Sequence, residues 1–425
     1  MNELQSIVAA FTEAYKRGER AAMATIVSVE GSAYRRPGAR MLMTESGRTT
    51  GAISGGCLER DVSERAAQVM KTRVAQIVEY DTRRSEDIVW GLGLGCHGVV
   101  RILLESLHAG SHGERALPFI KDCLEARKSG LLATVTGGRV NAEGCEDKAV
   151  AVGERLLLDA ELNICGPSLA DALLASRIRE DALEILAGKR AAMRSYEAGQ
   201  GRVEIFFDVI MPPRPLVIFG AEHDAVPLVH LARSLGWHVT VVDTRKRDAS
   251  KERFALADEV LLCRAEEIAA RVSLTEDTAA VVMTHNYLTD VELLRALLPS
   301  PVCYLGILGP KQRTSKLLEE ISDETYGLAG SQHARLHSPI GMDLGAETPE
   351  EIALSIVSEI KAVCAARGGG FLRDRDAPIH DERVLEHDER ATEHERATEP
   401  AAITVSIEPY ASTSESVAVV ACQSS

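Results

Sequence analysis

The run GAISGGCLE at residues 51–59 sets a cysteine behind a glycine-rich turn and in the first turn of an expected helix. Backbone N–H groups at a helix start carry partial positive charge, so Gly51, Ser54, Gly55 and Gly56 are candidates to hold a phosphate. The same field lowers a thiol pKa toward the nucleophilic thiolate, which makes Cys57 a candidate sulfur contact. Just upstream, GSAYRRPGAR at 31–40 adds local positive charge from Arg35, Arg36 and Arg40. A second glycine-rich loop, GLGLGCHG at 91–98, presents Gly95 and Cys96. Two such loops in one segment point to a site for an anion beside a thiolate, with Cys57 and Cys96 lining it together. A plainer reading stands beside this one: glycine pairs before helices also make ordinary tight turns, and free cysteine is among the most buried residue types.

The elements that must carry these loops alternate in pattern. ATIVSV at 24–29, ARMLM at 39–43, RTTGAI at 48–53, VAQIVEY at 74–80 and VVRILLE at 99–105 read as strands, with a helix from about Cys57 to Met70. A helix near 115–129, the strand LLATVT, a hairpin or strand set through VGERLLLD, and VEIFFDVI at 203–210 complete an α+β domain over 1–211. PPRP at 212–215 can continue neither a ladder nor a helix and marks a domain boundary. From Leu216 unbroken apolar runs (PLVIFG, HVTVVD, DEVLLC, AAVVMTH, CYLGILG) alternate with helical stretches, as buried parallel strands with crossover helices do. The fold class is therefore α/β, with a Rossmann-like domain at 214–367 that ends in the helix TPEEIALSIVSEIKAVCAA, capped by Thr348, Pro349 and Glu351. Residues 368–425, with the repeat HDERVLE, HDERATE, HERATE, read as a disordered charged tail; its His380, His387 and His394 are more simply solvated than metal ligands.

Composition narrows the function. At 425 residues the chain is long enough for two cored domains. A net charge of −15 argues against a general binder of nucleic acid or anionic membrane, so any anion site must be local. No apolar run approaches the length of a membrane span, and MNELQSIVAAFTEAYKRG reads as an amphipathic helix, which makes the cytoplasm the expected location. Nine cysteines without CxxC pairs suggest reduced thiols and no structural metal site; Cys123, Cys263 and Cys303 lie in apolar surroundings and read as core.

The Rossmann-like part carries a second set of candidates. Gly220 ends its first strand and Asp243 its second, where a dinucleotide-binding fold places the acid for ribose hydroxyls; Asp243 serves equally as a cap of the next turn. The loop between them reads GAEHDA, and Glu222 stands where a second glycine would admit a pyrophosphate, so standard nicotinamide binding is not expected. THNYLTD at 284–290 puts His285 and Asn286 at a carboxyl edge, where ligands of open sheets bind. Lys311 and Arg313 sit at a helix start, a position electrostatically unfavourable for cations unless an anion is present.

Taken together, Gly31 to Glu59, YDTRRSEDIVWGLGLGCHG, LVIFGAEHDAVPLV at 216–229 and RLHSPIGMDLGAETPEEIALSI at 335–356 resemble the XdhC/CoxI family, in the family's order and over nearly everything to about residue 367. The family often has glycine where this chain has Glu222. The resemblance implies an accessory factor, more a chaperone than an enzyme, that binds molybdenum cofactor (molybdopterin) as cargo. It implies as partners a cysteine desulfurase, for replacement of an oxo ligand by sulfur, and the apo-form of a molybdenum hydroxylase such as xanthine dehydrogenase. A homodimer stays among the assemblies, and no nucleic acid or membrane partner is implied. A nicotinamide-dependent oxidoreductase and a cofactor-free scaffold for hydroxylase assembly are the rival functions.

Overall fold

The computed structural model describes residues 3–81, 83, 98–139, 150–198, 201–245, 249–322, 334–377, 379 and 403–404. The chain divides into two compact units. One takes its described residues from Ala9–Phe119, Gly130–Ile210 and Glu386–Ser425, the other from Met1–Val8, Ile120–Ser129 and Met211–Leu385.

After α1 (Glu3–Lys16), the first unit runs β1 (Ala21–Gly31), β2 (Arg40–Thr44), β3 (Thr49–Gly51), α2 (Glu59–Thr72), β4 (Gln76–Asp81) and β5 (Gly98–Ser106). It continues through α3 (His112–Ala126, whose residues from Ile120 on count with the other unit), β6 (Gly130–Arg139), β7 (Arg155–Leu158), α4 (Ala172–Gly188), β8 (Ala192–Ala198) and β9 (Gly201–Ile210). One sheet has the order β4-β5-β1-β2-β3, antiparallel throughout, with Ile403–Thr404 lying parallel to β4 on its outer edge. The other has the order β7-β6-β9-β8, also antiparallel. The period of two along each strand sorts the side chains into layers. Ala22, Ala24 and Ile26 of β1 and Val100, Ile102 and Leu104 of β5 pack with Val62, Ala66 and Val69 of α2. Leu131, Ala133 and Val135 of β6 and Val203, Ile205 and Phe207 of β9 pack with Ala175, Ile178 and Ala182 of α4. The intervening residues Val27, Leu103 and Phe206 meet between the sheets, giving a helix-sheet-sheet-helix sandwich.

That middle layer also holds charge. Arg40 of the first sheet donates to Asp208 of the second, and Arg155 of the second donates through Nη2 to both Glu105 oxygens of the first at 2.7 and 2.6 Å. All four side chains are buried, 6–8% exposed. A buried charge is tolerated only when paired and hydrogen-bonded, which these four residues achieve between themselves.

The second unit contains β10 (Pro215–Phe219), α5 (Ala225–Ser234), β11 (His238–Asp243), α6 (Ala249–Arg253), β12 (Glu259–Leu262), α7 (Ile268–Arg271), β13 (Ala279–Val282), α8 (Tyr287–Leu297), β14 (Tyr304–Ile307), α9 (Lys311–Ser322), β15 (Leu336–His337) and α10 (Pro349–Cys364). Its strands are parallel in the order β12-β11-β10-β13-β14-β15, the doubly wound arrangement with its switch point between β10 and β13. Leu216, Ile218, Val239 and Val241 face α5 and α10 on one side. Val217, Phe219, Ala280 and Val282 face α8 and α9 on the other. Burial on both faces is why these strands are apolar without alternation. Thr348 and Glu351 close the expected capping box of α10 with Pro349 in its first turn.

Two elements, α4 and β8, lie between VGERLLLD and VEIFFDVI, where the sequence pattern suggested no element. The tail, its three histidines included, lies outside the described residues beyond residue 379, apart from Ile403–Thr404. Among the described residues no helix is long and apolar enough to cross a membrane.

Candidate functional site

The first unit gathers its loops at one end of the larger sheet. β1 ends at Gly31, directly paired with Gly98 at the start of β5; Asp81 at the end of β4 pairs with Val99, and Gly51 at the end of β3 pairs with Met41. A Cβ on Gly98 would meet the Glu30 and Ser32 carbonyl oxygens at 2.5 and 2.6 Å, so close backbone approach demands glycine there. The loops 32–39 and 52–58 leave from this end. Gly95 and Cys96 lie outside the described residues, as does most of the second glycine loop.

The turn 52–58 is built around Ser54, which is buried. Its N–H donates to Glu59 Oε1 at 2.8 Å and its hydroxyl donates to Glu59 Oε2, while the same hydroxyl oxygen accepts from the N–H groups of Gly56 at 3.1 Å and Leu58 at 3.2 Å. Burial pushes the Glu59 carboxyl up, but the Ser54 hydroxyl and N–H, with the Glu59 and Leu58 N–H groups, outweigh it and hold the group below the usual range. Ser54 is thus committed to the turn itself and not to a phosphate, a correction to its expected role. The helix α2 starts at Glu59 with Leu58 as its cap, so Cys57 stands just ahead of the helix and not in its first turn. Cys57 is a half-buried free thiol packed on the cluster of Ile53, Leu58 and Val62.

What faces outward is smaller than the sequence suggested, but coherent. Gly55 and Gly56 are exposed. Among the described residues the N–H groups of Gly55 and Cys57 have no hydrogen-bond partner. Gly51 and Gly56 adopt φ of +82° and +111°, conformations that favour glycine. Three ring carbons of Tyr34, 66% exposed, lie 3.9–4.0 Å from the position of a Gly55 Cβ. Tyr34 went unmarked in the sequence; its only signal there is an aromatic residue beside an arginine pair between two glycines.

The three arginines of the basic loop divide. Arg35 and Arg36 are half-buried in the loop that carries Tyr34, and the Arg36 carbonyl accepts from the Ala39 N–H at 3.1 Å. Arg40 turns inward as the first residue of β2 and is consumed by Asp208 and by the Gly38 carbonyl at 3.1 Å. Arg40 is therefore a core residue and not an anion contact.

In the second unit each candidate is found at the carboxyl edge of the parallel sheet, mostly already engaged. Gly220 has φ +131°, and a Cβ there would strike the Met283 carbonyl, so strand approach accounts for it. Asp243 is 1% exposed; Oδ1 accepts from the Arg245 N–H at 2.9 Å and Oδ2 from the Ser250 hydroxyl at 2.5 Å. It acts here as a strand-end cap. Glu222 accepts from the Arg245 guanidinium, so the loop that would admit a pyrophosphate holds an internal ion pair. Arg313 donates to the buried Asp290 at 2.5 Å, which supplies internally the anion that the helix-start position called for. Lys311 is exposed, and among the described residues no carboxylate pairs with it. His285 has φ +57° and its Nε2 lies 2.7 Å from Asp224 Oδ2, joining the ends of β10 and β13 across the switch point. Asn286 caps α8 by accepting from the Thr289 N–H at 3.0 Å. Among the described residues there is no group of three or more metal-ligating side chains.

Comparison with known proteins gives this arrangement a family. A model of the XdhC Rossmann domain matches residues 216–360, and one of the XdhC and CoxI family matches residues 14–81. A probable xanthine dehydrogenase subunit of Bacillus subtilis (strain 168) is 32% identical over 342 residues, covering 80% of this chain and 92% of the relative. The molybdenum cofactor insertion chaperone PaoD of Escherichia coli (strain K12) is 22% identical over 352 residues, 83% of this chain and 86% of its own length. A crystal structure of a xanthine dehydrogenase from Bacillus halodurans matches with a TM-score of 0.67 at 30% identity, over 85% of this chain and 96% of that one. The glycine-turn unit and the parallel-sheet unit thus recur together, in the same order, along nearly the whole of a relative, and the chain belongs to the XdhC and CoxI family.

Proposed function

We propose that this protein is an accessory factor that holds molybdenum cofactor and passes it to a molybdenum hydroxylase of the xanthine dehydrogenase class. The observation that carries the reading is the sheet-end cluster: the Cys57 thiol beside the exposed Gly55–Gly56 turn, the Tyr34 ring against Gly55, and Arg35 and Arg36 in the same loop. A soft sulfur ligand suits molybdenum, N–H groups and guanidinium suit a phosphate, and an exposed aromatic face suits a planar heterocycle. The Glu59 carboxylate acts against an anion, so the phosphate belongs on the Tyr34 and arginine side of the turn, away from Ser54. Cys96, which lies outside the described residues, stays the expected second sulfur contact of this reading on the strength of its glycine-rich loop. Sulfuration of the bound cofactor, with a cysteine desulfurase as donor, is the further step this chemistry allows. The names of the Bacillus subtilis and PaoD relatives support the cargo and the class of recipient.

The test is anaerobic co-purification with a molybdenum hydroxylase, followed by molybdenum and pterin analysis of this chain. Stoichiometric pterin is expected in the wild type, with retention lowered about tenfold or more, equivalent to at least about 1.4 kcal/mol, in Cys57→Ala and in Tyr34→Ala. Both variants should keep the wild-type melting profile, because Cys57 is half-buried and Tyr34 exposed. A wild-type chain that binds the apo-hydroxylase but never pterin would leave the scaffold reading in its place.

A further inference from the structure

We propose that Cys303 and Cys364 form a redox-active thiol pair in the parallel-sheet unit, a modification site at which a hydroperoxide is reduced and an intramolecular disulfide is made. The inference is independent of the cargo reading, since it uses none of the residues of the sheet-end cluster.

The geometry comes from two elements that end at the same place. Cys303 is the last residue before β14, and Cys364 is the last residue of α10. Their sulfurs lie 3.8 Å apart and share a hydrogen bond. Both residues are free and half-buried, which differs from the core position expected of Cys303 and from the buried Cys123 and Cys263. A disulfide needs about 2.05 Å between sulfurs, so the pair must close by under 2 Å. Cys364 occupies a helix terminus, the part of a helix that gives most easily.

The surroundings favour reaction over inert packing. Arg214 holds its Nη1 3.9 Å from Cys303 Sγ and 3.2 Å from the Asp277 carbonyl, and Cys303 Sγ lies 3.3 Å from the Thr278 carbonyl. The S–H of Cys303 lowers the Cys364 thiol, burial opposes this, and the charges of Arg214 and Lys361 add to the lowering, so the group is brought down to about 6. The same hydrogen bond, joined by burial, pushes Cys303 up and leaves it the proton. The shared hydrogen bond thus favours negative charge on the Cys364 sulfur and the proton on Cys303, the arrangement of an attacking and a resolving cysteine.

The reaction balances without other parts of the protein. The Cys364 thiolate attacks one oxygen of a hydroperoxide; the O–O bond breaks, Cys364 becomes a sulfenic acid, and the departing alkoxide or hydroxide takes from solvent the proton that the Cys364 thiol had released, leaving as alcohol or water. The Cys303 sulfur then attacks the Cys364 sulfur; an S–S bond forms, the S–O bond breaks, and water leaves with the Cys303 proton. Two thiols lose two electrons and the hydroperoxide gains them.

The experiment treats the full-length reduced chain with hydrogen peroxide, blocks remaining thiols with an alkylating agent, and maps tryptic peptides by mass spectrometry. The expected product joins peptide 296–311, which carries Cys303, to peptide 362–367, which carries Cys364, and two of the nine thiols lose reactivity. Cys303→Ser should give Cys364 sulfenic acid, trapped by dimedone, and no linked peptide; reduction of the wild type should restore both thiols. The proposal is overturned if both thiols of the wild type stay alkylatable at peroxide levels that oxidise other cysteines. It is equally overturned if either forms its main disulfide with a different cysteine, or if Cys364 passes to sulfinic acid without linking to Cys303. The wild-type map decides the matter even if a variant fails to fold.

Discussion

Arg36 and Arg40 belong to one short basic loop, yet the fold assigns them opposite work. Arg40 points between two sheets and neutralises Asp208, whereas Arg36 stays in the loop beside Tyr34. Removing one partner of a buried pair strands the other charge in a low-dielectric layer, so Arg40→Ala should cost about 3–5 kcal/mol in urea unfolding. Arg36→Ala should change stability by no more than about 0.5 kcal/mol. In the cargo reading it should also weaken pterin binding and flatten its salt dependence. A stable Arg40→Ala protein would mean that the pair contributes little. This distinction was not legible in the sequence, because Asp208 lies 168 positions away and nothing local marks Arg40 as inward-facing. The same holds for Tyr34, whose significance arises only when the fold sets its ring against Gly55.

At the scale of elements, the loop before α10 and the helix itself are locked by one carboxylate. Glu359 accepts from the Tyr304 hydroxyl, from the Gly341 N–H at 2.8 Å and from His337 Nδ1 at 3.2 Å, with the His337 ring stacked on Tyr304 at 4.4 Å between centroids. Burial raises this carboxyl, but His337, Tyr304 and Gly341 together bring it below its ordinary 4.5. A carboxyl depressed on folding stabilises fully above its unfolded value and loses that contribution as pH falls through the folded one. Below about pH 4.5 the wild type should therefore lose unfolding free energy more steeply than Glu359→Gln, measured by urea titration at several pH values. Parallel acid limbs would remove Glu359 from the account. The loop between β10 and α5 yields a second expectation. With Glu222 and Arg245 closing it, calorimetry of the wild type with NAD, NADP and their reduced forms should show no micromolar binding, and Glu222→Gly should strengthen any that exists. Tight wild-type binding that Asp243→Ala abolishes would favour an oxidoreductase. The strands of this unit were readable from sequence because burial on both faces leaves unbroken apolar runs. The helix α4 was not: Leu173 and Leu183 on its surface, 63% and 66% exposed, blur its apolar stripe.

For the molecule as a whole, composition narrows the function without identifying it. A net charge of −15 argues against broad anion binding, so any anion site must be local. The two ion pairs inside the first unit have a consequence for how that unit assembles. Arginine comes from the larger sheet in one pair and from the smaller sheet in the other. If the smaller sheet docked turned half a revolution about its normal, Arg155 would oppose Arg40 and Asp208 would oppose Glu105. The charges accept only one of these two dockings, so they key the sandwich against its own rotated misfold. Exchanging one pair, Arg40→Asp with Asp208→Arg, keeps opposite charges facing in the native docking and gives both crossings the same polarity. Such a chain should refold from urea in lower yield than wild type while its folded fraction melts at a similar temperature; an undiminished yield would show that the loops alone dictate which way round the sheets meet.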